Sequence, residues 1–575
     1  MTARLDTSRA QRFAGPFRAR GWWRDATFLD DLRAVAGAAP DRPAILAARA
    51  FDRTAIALTY AELAAHVDRF AAGLVALGVA RGDLVAVQLP SWWQVSALAL
   101  ACARIGAVIA PIPVDYRRRE TEFVLARTEA PVYVGPASWL GFSHRAMLRE
   151  LAPALPALRH RVLAGLGTGA ADPGELDLDA FFADPAHARR HPPAELDRRA
   201  PGADDAFLVM YTSGTTGEPK GVVHSYNTLH AIVRALIETA ALSSADVLTT
   251  PSAMTGLVGF LYDFLVPLAC GATAVYADLG DPERTLGLIE DHGVTTLYAI
   301  PSYVLGLVAA QQRHPRRVGS LRTVITGSAP VPPHLVPSAR DALDVRVLSL
   351  WGMTEMGGAT FTRPDDPPDW PAHSDGRPVE WMEIQIVRDP DDAGPDGPGG
   401  AGRLRVRGAN LCLGYFRRPD MFAAALDDDG WFDTGDLVRP DGSGGIRIVG
   451  RAKDVIVRNG QKVPAAEVES ALSSHPRVAA VALIPDPDGD LGERVVAVVV
   501  ARGEPPALAD LRDHLRGLGM SPQYWPDRLH LVAEMPLTST GKIQKYVLRD
   551  QLARAGVSAS TGSPPASRRS RAGYP

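Results

Sequence analysis

The chain has 575 residues, of which 46% are hydrophobic and 22% charged, and its formal net charge at pH 7 is −4. This length is too great for one hydrophobic core, so we expect two or three structural units in an ordinary globular protein. The near-neutral charge gives no reason to expect a nucleic-acid partner. Three widely spaced cysteines, Cys102, Cys270 and Cys412, predict neither a disulfide framework nor a zinc site, and they favour a reduced compartment.

The N-terminal part of the chain shows no pattern typical of a secretory signal or a membrane span. Residues 1–20 contain several arginines but no continuous apolar core. Thr59 opens a helical pattern that continues to Leu77. The most apolar stretch, 95–114, is interrupted by Arg104 and by glycine and proline, so it predicts a buried helix followed by a strand. We therefore expect a cytoplasmic protein.

Residues 211–222 are the most informative segment and read YTSGTTGEPKGV. Glycine- and hydroxyl-rich turns precede a lysine here, so backbone N–H groups, hydroxyls and one cation can converge on a polyphosphate. The spacing of the glycines and the lysine differs from that of the usual P-loop, which argues against an ordinary P-loop NTPase. Apolar runs on both sides predict a strand, a loop and a second strand. The residues of this predicted phosphate site are Thr212, Ser213, Gly214, Thr215, Thr216, Gly217 and Lys220.

Downstream, apolar strand patterns alternate with helical patterns, at 274–276, 296–300, 323–326 and 345–350. This alternation predicts an α/β fold with mainly parallel sheets and ligand loops at the strand ends. From about Gly402 the pattern changes to short strands with turn residues between them, which predicts a β-rich closing piece of the large domain. A smaller α/β unit follows Gly450 and ends near Ala553, and the Ser-, Pro-, Gly- and Arg-rich residues 554–575 predict a disordered tail.

The segment 211–222 resembles the phosphate-binding signature of the adenylate-forming superfamily, which includes acyl-CoA synthetases, adenylation domains and luciferases. Further segments resemble the other motifs of this superfamily in the same order: 327–330, 351–355, 431–436, 450–454 and 536–543. The resemblance implies a large N-terminal AMP-binding domain of α/β subdomains, residues 1–452. It also implies a small mobile C-terminal domain, residues 453–553, with a hinge at Lys453.

The resemblance implies an ATP-dependent ligase that activates a carboxylic acid as acyl-AMP, releases pyrophosphate and passes the acyl group to the thiol of coenzyme A. ATP, Mg²⁺ and coenzyme A are the implied cofactors and co-substrates. Lys542 would bridge the carboxylate and the α-phosphate, Thr354 would hydrogen-bond the α-phosphate, and Glu355 would bind Mg²⁺. Asp436 would accept hydrogen bonds from the ribose, and Trp351 would offer a flat face to adenine. The remaining implied nucleotide contacts are Gly327, Ser328, Ala329, Gly352 and Arg451.

Among relatives, the chain most resembles cyclohexanecarboxylate and medium-chain acyl-CoA ligases, at residues 21–25, 460–467, 523–526 and 541–545. An aryl-AMP ligase that loads a phosphopantetheine carrier protein is a close alternative. The implied acyl pocket contains Met254, Gly256, Val258 and Gly357. Gly256 stands where the family usually has a histidine or aromatic gate, which predicts more room for the acid. Asn459 and Gln461 also depart from the family pattern, so the acceptor stays open.

Two other functions are weighed against this one. A non-catalytic nucleotide-binding relative would be expected to lose one of Lys542, Glu355, Asp436 and Lys220, and the sequence retains all four. An amino-acid adenylation module would need an acidic residue for the ammonium group, and its nearest candidate, Asp263, is expected to face away from the pocket. His224 and His230 are expected to pack or cap rather than to catalyse. The acid and the oligomeric state are not determined by the sequence.

Overall fold

The computed structural model describes residues 5–49, 55–167, 171–212, 219–388, 401–452, 456–458, 461–463, 465–488, 492–520, 522–537 and 543–560. The chain divides into two compact units, Met1–Ile448 and Val449–Pro575. This division lies next to the boundary that the motifs imply, between residues 452 and 453. The domain assignment itself remains a prediction.

The helices and strands alternate along most of the chain. The helices are α1 Ser8–Ala19, α2 Phe28–Ala38, α3 Tyr60–Ala76, α4 Trp93–Ile105, α5 Arg118–Thr128, α6 His144–Leu151, α7 Leu178–Ala183, α8 Pro185–Arg190, α9 Pro193–Asp197, α10 Tyr226–Ala240, α11 Leu257–Gly259, α12 Val266–Cys270, α13 Pro282–His292, α14 Pro301–Arg313, α15 Leu335–Leu343, α16 Pro419–Ala423, α17 Ala465–Ser473, α18 Leu508–Gly517 and α19 Lys545–Ser560. The strands are β1 Pro43–Ala48, β2 Ala55–Thr59, β3 Leu84–Val87, β4 Val108–Pro111, β5 Val132–Pro136, β6 Ser138–Trp139, β7 Phe142–Ser143, β8 His160–Ala164, β9 Glu175–Asp177, β10 Ala206–Thr212, β11 Lys220–Ser225, β12 Val247–Thr249, β13 Thr273–Ala277, β14 Thr296–Tyr298, β15 Thr323–Gly327, β16 Arg346–Met353, β17 Gly357–Phe361, β18 Arg377–Pro378, β19 Met382–Val387, β20 Gly402–Gly408, β21 Gly414–Tyr415, β22 Phe432–Pro440, β23 Ile446–Arg451, β24 Ile456–Arg458, β25 Gln461–Val463, β26 Val478–Asp488, β27 Gly492–Ala501 and β28 Arg528–Leu531.

Two large mixed sheets organise the first unit. Among the described residues, one sheet has the strand order β21-β11-β10-β4-β3-β5-β8-β9, and the other β18-β17-β16-β15-β14-β12-β13-β1-β2. The central neighbours pair in parallel, as β3 does with β4 and β14 with β15, and antiparallel strands close several of the edges. The predicted α/β fold class is therefore confirmed.

The apolar stretch 95–114 forms the predicted helix and strand. From Gln94 to Ile105 every residue of α4 is buried, and β4 is buried throughout. The buried guanidinium of Arg104 pairs with Asp68 at 3.0 Å and with Asp197 at 2.7 Å, as a buried charge requires. No helix in the described part of the chain is long and apolar enough to cross a membrane.

Helix α3 begins where the capping pattern places it. The Thr59 hydroxyl accepts from the backbone N–H of Glu62 at 3.2 Å, and the Glu62 carboxylate accepts from the N–H of Thr59 at 2.8 Å. This reciprocal pair satisfies two donors that the first turn of a helix otherwise leaves unbonded. The prediction of a helix capped at Thr59 is confirmed.

The closing β-rich piece is larger than the sequence predicts. Its sheet has the order β19-β20-β22-β23, so it begins at Met382 rather than at Gly402. The β19 sequence MEIQIV alternates as a strand should, but the Pro-, Gly- and Asp-rich residues 388–401 separate it from β20 and hide the pairing. Residues 389–400 lie outside the described part of the chain.

The second unit is built around the long antiparallel pair β26 and β27, with β28 parallel to β27. Alternate residues of β27 enter two different apolar cores, Val495 and Ala497 on one face and Val496 and Val498 on the other. The last helix, α19, continues to Ser560, so the predicted tail does not begin at residue 554. Residues such as Arg554 and Ala555 favour helix, and residues 561–575 lie outside the described part of the chain.

Candidate active site

The predicted phosphate site lies at the tip of an antiparallel hairpin. Strands β10 and β11 pair from Ala206 with Ser225 to Thr212 with Lys220, as the strand, loop and strand prediction requires. Thr212 and Lys220 are therefore held opposite each other at the two ends of the loop. Ser213, Gly214, Thr215, Thr216 and Gly217 lie outside the described residues, so their assignment stays a prediction.

Glu355, the expected Mg²⁺ ligand, is held by a tyrosine that the sequence analysis did not identify. Tyr415 donates its hydroxyl hydrogen bond to Glu355 Oε1 at 2.7 Å, and both residues are buried. The ammonium nitrogen of Lys220 lies 4.9 Å from the centre of the Tyr415 ring. Burial and the nearby Glu355 raise the pKa of Tyr415, so the hydroxyl remains a proton donor.

A short segment, residues 412–416, connects Glu355 to the phosphate hairpin through the backbone, and we call it the bridging segment. The N–H of Cys412 donates to the Glu355 carbonyl at 2.7 Å. Further along, Tyr415 pairs with Val222 of β11, and the N–H of Phe416 donates to the Gly221 carbonyl at 2.7 Å. Glu355, the predicted metal ligand, and the hairpin therefore share one hydrogen-bonded support.

Thr354 is fixed through its backbone by His224. The His224 Nε2 lies 2.8 Å from the Thr354 carbonyl oxygen, and its Nδ1 lies 3.0 Å from the Thr228 hydroxyl. Burial lowers the pKa of His224 to about 4, so the ring is neutral near pH 7. Because a carbonyl can only accept, Nε2 carries the proton and donates it. His224 thus has a positioning contact and touches no predicted reacting group directly.

Trp351 and Asp436 are brought into direct contact although 85 residues separate them. The indole N–H donates to Asp436 Oδ2 at 2.9 Å, and both side chains are buried. The Asp436 backbone N–H in turn donates to the Thr434 hydroxyl at 3.1 Å. The contact fixes the orientation of the Trp351 ring, whose face is predicted to contact adenine. It also orients the Asp436 carboxylate, which is predicted to bind the ribose.

The predicted adenine turn, residues 327–329, follows β15. Ser328 adopts a left-handed backbone conformation with φ of 66°, which is uncommon for a residue other than glycine. Its hydroxyl lies 3.0 Å from that of Tyr298, and the Tyr298 ring stacks on Tyr262 with centroids 4.3 Å apart. This contact supports the strained turn at the end of the parallel sheet, where ligand loops are expected. Gly327 lies at the last position of β15, and Ala329 is exposed.

The predicted acyl-pocket residues lie on two separate segments. Met254 is fully buried and its N–H donates to the Ser91 hydroxyl at 3.2 Å, while Val258 is half-buried in α11. Gly256 has φ of −111° and ψ of 157°, an extended conformation that any residue can adopt. Gly357, on β17, has φ of 58° and packs closely against Gly352: a Cβ on Gly352 would lie 1.9 Å from the Gly357 carbonyl oxygen. The nucleotide residue Gly352 and the pocket residue Gly357 therefore need their small size.

Asp263 lies in the protein interior. It belongs to a π-helical segment, Phe260–Leu265, and is completely buried, beside Tyr60 and Tyr276. Its Oδ1 accepts from the Thr250 N–H at 3.0 Å, and burial raises its pKa well above the ordinary value. A carboxyl whose charged form is disfavoured by burial in this way is poorly suited to hold an ammonium group.

For three other predicted residues the structure gives no placement relative to this group. Arg451 ends β23 and belongs to the second unit, whereas the other described site residues belong to the first. Lys542 and Lys453 lie outside the described residues. Their roles stay predictions.

The donor set fits Mg²⁺ shared with a phosphate ligand. Among the described residues, no group of three or more His, Cys, Asp or Glu side chains could hold a metal ion by itself. Mg²⁺ is usually bound by one or two carboxylates together with substrate phosphates and water, and Glu355 can supply one. Its Oε1 accepts from Tyr415, and no other hydrogen bond to its side chain occurs in the described part of the chain. Glu355 Oε2 is therefore available to a cation.

Comparison with known proteins gives a consistent result. The model of the AMP-binding enzyme family matches residues 32–416, and that of the AMP-binding enzyme C-terminal domain matches residues 467–542. The medium-chain fatty-acid–CoA ligase of Escherichia coli (strain K12) is 30% identical over 540 residues, 94% of this chain and 92% of that protein. The salicyl-AMP ligase / salicyl-S-ArCP synthetase of Mycobacterium tuberculosis (strain ATCC 25618 / H37Rv) is 34% identical over 555 residues, 94% of this chain and 93% of that protein. The crystal structure of ATP-bound MatB from Rhodopseudomonas palustris superposes with a TM-score of 0.78 at 27% identity, covering 92% of this chain and 99% of that one.

Proposed function

This chain belongs to the AMP-binding enzyme family and is an AMP-forming acid–thiol ligase, and from that premise we propose that it activates a small organic acid and transfers the acyl group to coenzyme A. The observation that carries the nucleotide part of this proposal is the Trp351 to Asp436 hydrogen bond of 2.9 Å. It orients a carboxylate with two acceptor oxygens beside a large aromatic ring, which suits a ribose and its base.

The first half-reaction solves a chemical problem of the acid. A carboxylate is a poor electrophile, since its negative charge repels nucleophiles and oxide is a bad leaving group. Attack of a carboxylate oxygen on the α-phosphorus of ATP forms acyl-AMP and releases pyrophosphate. Mg²⁺, when bound at Glu355, would neutralise the charge of the pyrophosphate.

This chain's own residues would supply positioning and charge. Thr354 would hydrogen-bond the α-phosphate, Lys220 would contact the outer phosphates, and Lys542 would hold the attacking carboxylate against the α-phosphate. Lys542 has to leave before a thiol can approach the acyl carbon. We therefore propose Lys453 as the hinge, and the division of the chain at Ile448 and Val449 supports a pivot in this region.

In the second half-reaction the thiol sulfur forms a bond to the acyl carbon and AMP leaves with the oxygen that bridged it to the acid. The likeness to the medium-chain fatty-acid–CoA ligase supports coenzyme A as the thiol donor. We propose a cytoplasmic location for this reaction, which the three free cysteines support.

Transfer to the phosphopantetheine thiol of a carrier protein is the second candidate function. The 34% identity to the salicyl-AMP ligase / salicyl-S-ArCP synthetase supports it. The Gly21-to-Asp25 motif does not discriminate between the acceptors, because it makes structural contacts: Trp23 donates its indole hydrogen bond to the Ala409 carbonyl at 3.1 Å.

Mass-spectrometric detection of thioester tests both candidates. Purified protein is incubated with ATP, Mg²⁺, coenzyme A and a pool of aliphatic, alicyclic and aromatic acids, with Lys542→Ala as the control. An acyl-CoA that the control does not form supports the CoA ligase and identifies its acid class. Acyl-AMP without acyl-CoA favours the carrier-protein function, and neither product from any acid contradicts the ligase proposal.

A further inference from the structure

The bridging segment, residues 412–416, brings three independent supports to one side chain, Tyr415. Its backbone is bonded to Glu355 through Cys412 at 2.7 Å and to β11 through Leu413 and Phe416 at 2.8 and 2.7 Å. A segment bonded at both ends in this way fixes the position of the ring between them. Tyr415 lies outside the segments that resemble the superfamily motifs, and neither proposed half-reaction assigns it a role.

Tyr415 contacts two groups of opposite charge. Its hydroxyl donates to Glu355 Oε1 at 2.7 Å, and the Lys220 ammonium lies 4.9 Å from its ring centre. No salt bridge joins Lys220 to Glu355 among the described residues. A direct Lys–Glu pair at this depth would be strong, because partial burial reduces screening by water.

Such a direct pair would oppose the reaction. The Lys220 ammonium would be neutralised before it could attract phosphate, and the Glu355 carboxylate would be neutralised before it could bind a cation. The tyrosine offers each partner a weaker substitute: a cation–π contact for the lysine and one hydrogen bond for the carboxylate. Each charge is then stabilised, yet it can still bind its own ligand.

The hydroxyl also fixes the rotation of the carboxylate. A tyrosine hydroxyl bonded to Oε1 leaves Oε2 as the oxygen that can bind a cation. No described residue other than Tyr415 hydrogen-bonds the Glu355 side chain. The orientation therefore depends on this single contact.

We propose that Tyr415 is a positioning residue that keeps Lys220 and Glu355 apart and orients Glu355 for the Mg²⁺ that accompanies ATP. This inference rests on the proposed roles of Glu355 and Lys220. It predicts a defect in the Mg²⁺ dependence of ATP binding rather than a general loss of folding or of acid recognition.

The test compares Tyr415→Phe with Tyr133→Phe. Tyr133 is a matched control because it is buried and donates one hydrogen bond, to Gln88 Oε1 at 2.8 Å, in the sheet that also contains β11. ATP binding is measured by isothermal titration calorimetry over a series of MgCl₂ concentrations, without acid, and folding is followed by thermal denaturation. For Tyr415→Phe we expect the Mg²⁺ concentration for half-maximal ATP binding to rise about tenfold, as the loss of a hydrogen bond to a charged group implies. Tyr133→Phe should keep the wild-type value.

A second variant, Tyr415→Leu, removes the ring as well as the hydroxyl and allows Lys220 to pair with Glu355. We expect it to weaken ATP binding even in EDTA, where Tyr415→Phe binds as the wild type does. Equal binding of both variants in EDTA would contradict the role of the ring. A wild-type Mg²⁺ dependence in folded Tyr415→Phe would overturn the orienting role.

Glu355→Gln separates this inference from the function on which it rests. If Glu355→Gln keeps the wild-type Mg²⁺ dependence, the assignment of Glu355 is wrong, and the Tyr415 inference is overturned with it. If Glu355→Gln loses that dependence and Tyr415→Phe does not, only the Tyr415 inference is wrong. We expect the double variant Tyr415→Phe/Glu355→Gln to bind ATP no worse than Glu355→Gln alone. The Tyr415 hydroxyl acts through the Glu355 carboxylate, which Glu355→Gln already removes.

Discussion

The nucleotide side and the acid side of the site are built differently. On the predicted nucleotide side, buried and half-buried polar groups from distant segments hold one another at 2.7 to 3.0 Å: Tyr415 with Glu355, His224 with Thr354, Trp351 with Asp436, and Tyr298 with Ser328. On the acid side, Met254 makes one backbone hydrogen bond and Gly256 contributes no side chain. The predicted nucleotide side is therefore specified by directed bonds, whereas the predicted acid side would be specified by size and shape. Changes on the first side should affect ATP, and changes on the second should affect the choice of acid.

Asp436→Ala should have the largest effect on activity, and it is the strongest test of the difference between the nucleotide side and the acid side. It removes the predicted ribose acceptor and leaves the buried Trp351 N–H without its partner. We expect kcat/KM for ATP in the pyrophosphate exchange reaction to fall about 100-fold, with the KM of the acid little changed. A comparably large rise in the KM of the acid would show that the nucleotide side and the acid side are not separate. Thermal denaturation of the variant serves as the control for folding.

His224 should make the stability of the folded protein depend on pH. The pKa of His224 is about 4 in the folded protein and ordinarily 6.5. Between pH 4 and pH 6.5, His224 therefore binds a proton in the unfolded chain but not in the folded protein. The contribution of neutral His224 to the free energy of unfolding is fully present above pH 6.5. It is lost as the pH falls towards 4, and the loss amounts to at most about 3 kcal/mol.

The measurement is urea denaturation of the wild type and of His224→Gln from pH 7 to pH 4. Glutamine keeps a donor for the Thr354 carbonyl but cannot titrate, so the variant should lose less stability over this range. His314→Gln, at an exposed histidine, should fall as the wild type does. Parallel curves for all three proteins would contradict a buried neutral His224.

Trp351→Phe should have a smaller effect, and it divides the nucleotide side into its two parts. Phenylalanine keeps an aromatic face for adenine and removes only the N–H bonded to Asp436. We expect the KM of ATP to rise about tenfold, the size of one hydrogen bond to a charged group. A variant with an unchanged KM for ATP would mean that the indole N–H does not contribute to binding.

Gly256→His should have the smallest effect on the rate, and it tests the acid side alone. Any residue can adopt the extended backbone conformation of Gly256, so the change adds bulk without backbone strain. We expect bulky acids to lose several-fold more of their rate than small acids, with the KM of ATP unchanged. The acid range of Gly256→Ala should lie between those of the wild type and of Gly256→His. The measurement is pyrophosphate exchange with a series of acids. An unchanged acid range would remove Gly256 from the pocket.

The elements that the sequence predicts well are those with local signals. The capping pair of Thr59 and Glu62, the buried run of α4 and the hairpin ending at Thr212 and Lys220 all follow from residues close in the chain. Strand β19 and the C-terminal extension of α19 were missed because composition between or beyond them masked the pattern. Short-range periodicity cannot show which strand pairs with which.

The motif residues Glu355, Trp351 and Asp436 could be chosen from the sequence, but their partners could not. Tyr415 reaches Glu355 only because β21 pairs with β11 in one register, with Tyr415 opposite Val222. Likewise, the use of the Trp351 N–H depends on how β16 approaches β22, and nothing local to Trp351 reveals it. These contacts are properties of the assembled sheets.

The central claim is that the acid attacks the α-phosphate of ATP, and isotope transfer tests it most directly. An acid that the enzyme accepts is labelled with ¹⁸O in both carboxylate oxygens and converted to its thioester, and the released nucleotide is analysed by mass spectrometry. The account predicts one ¹⁸O atom in AMP, because the bridging oxygen stays with the phosphate when the thiol displaces it. Label in inorganic phosphate with ADP as the nucleotide product, or unlabelled AMP, would contradict it.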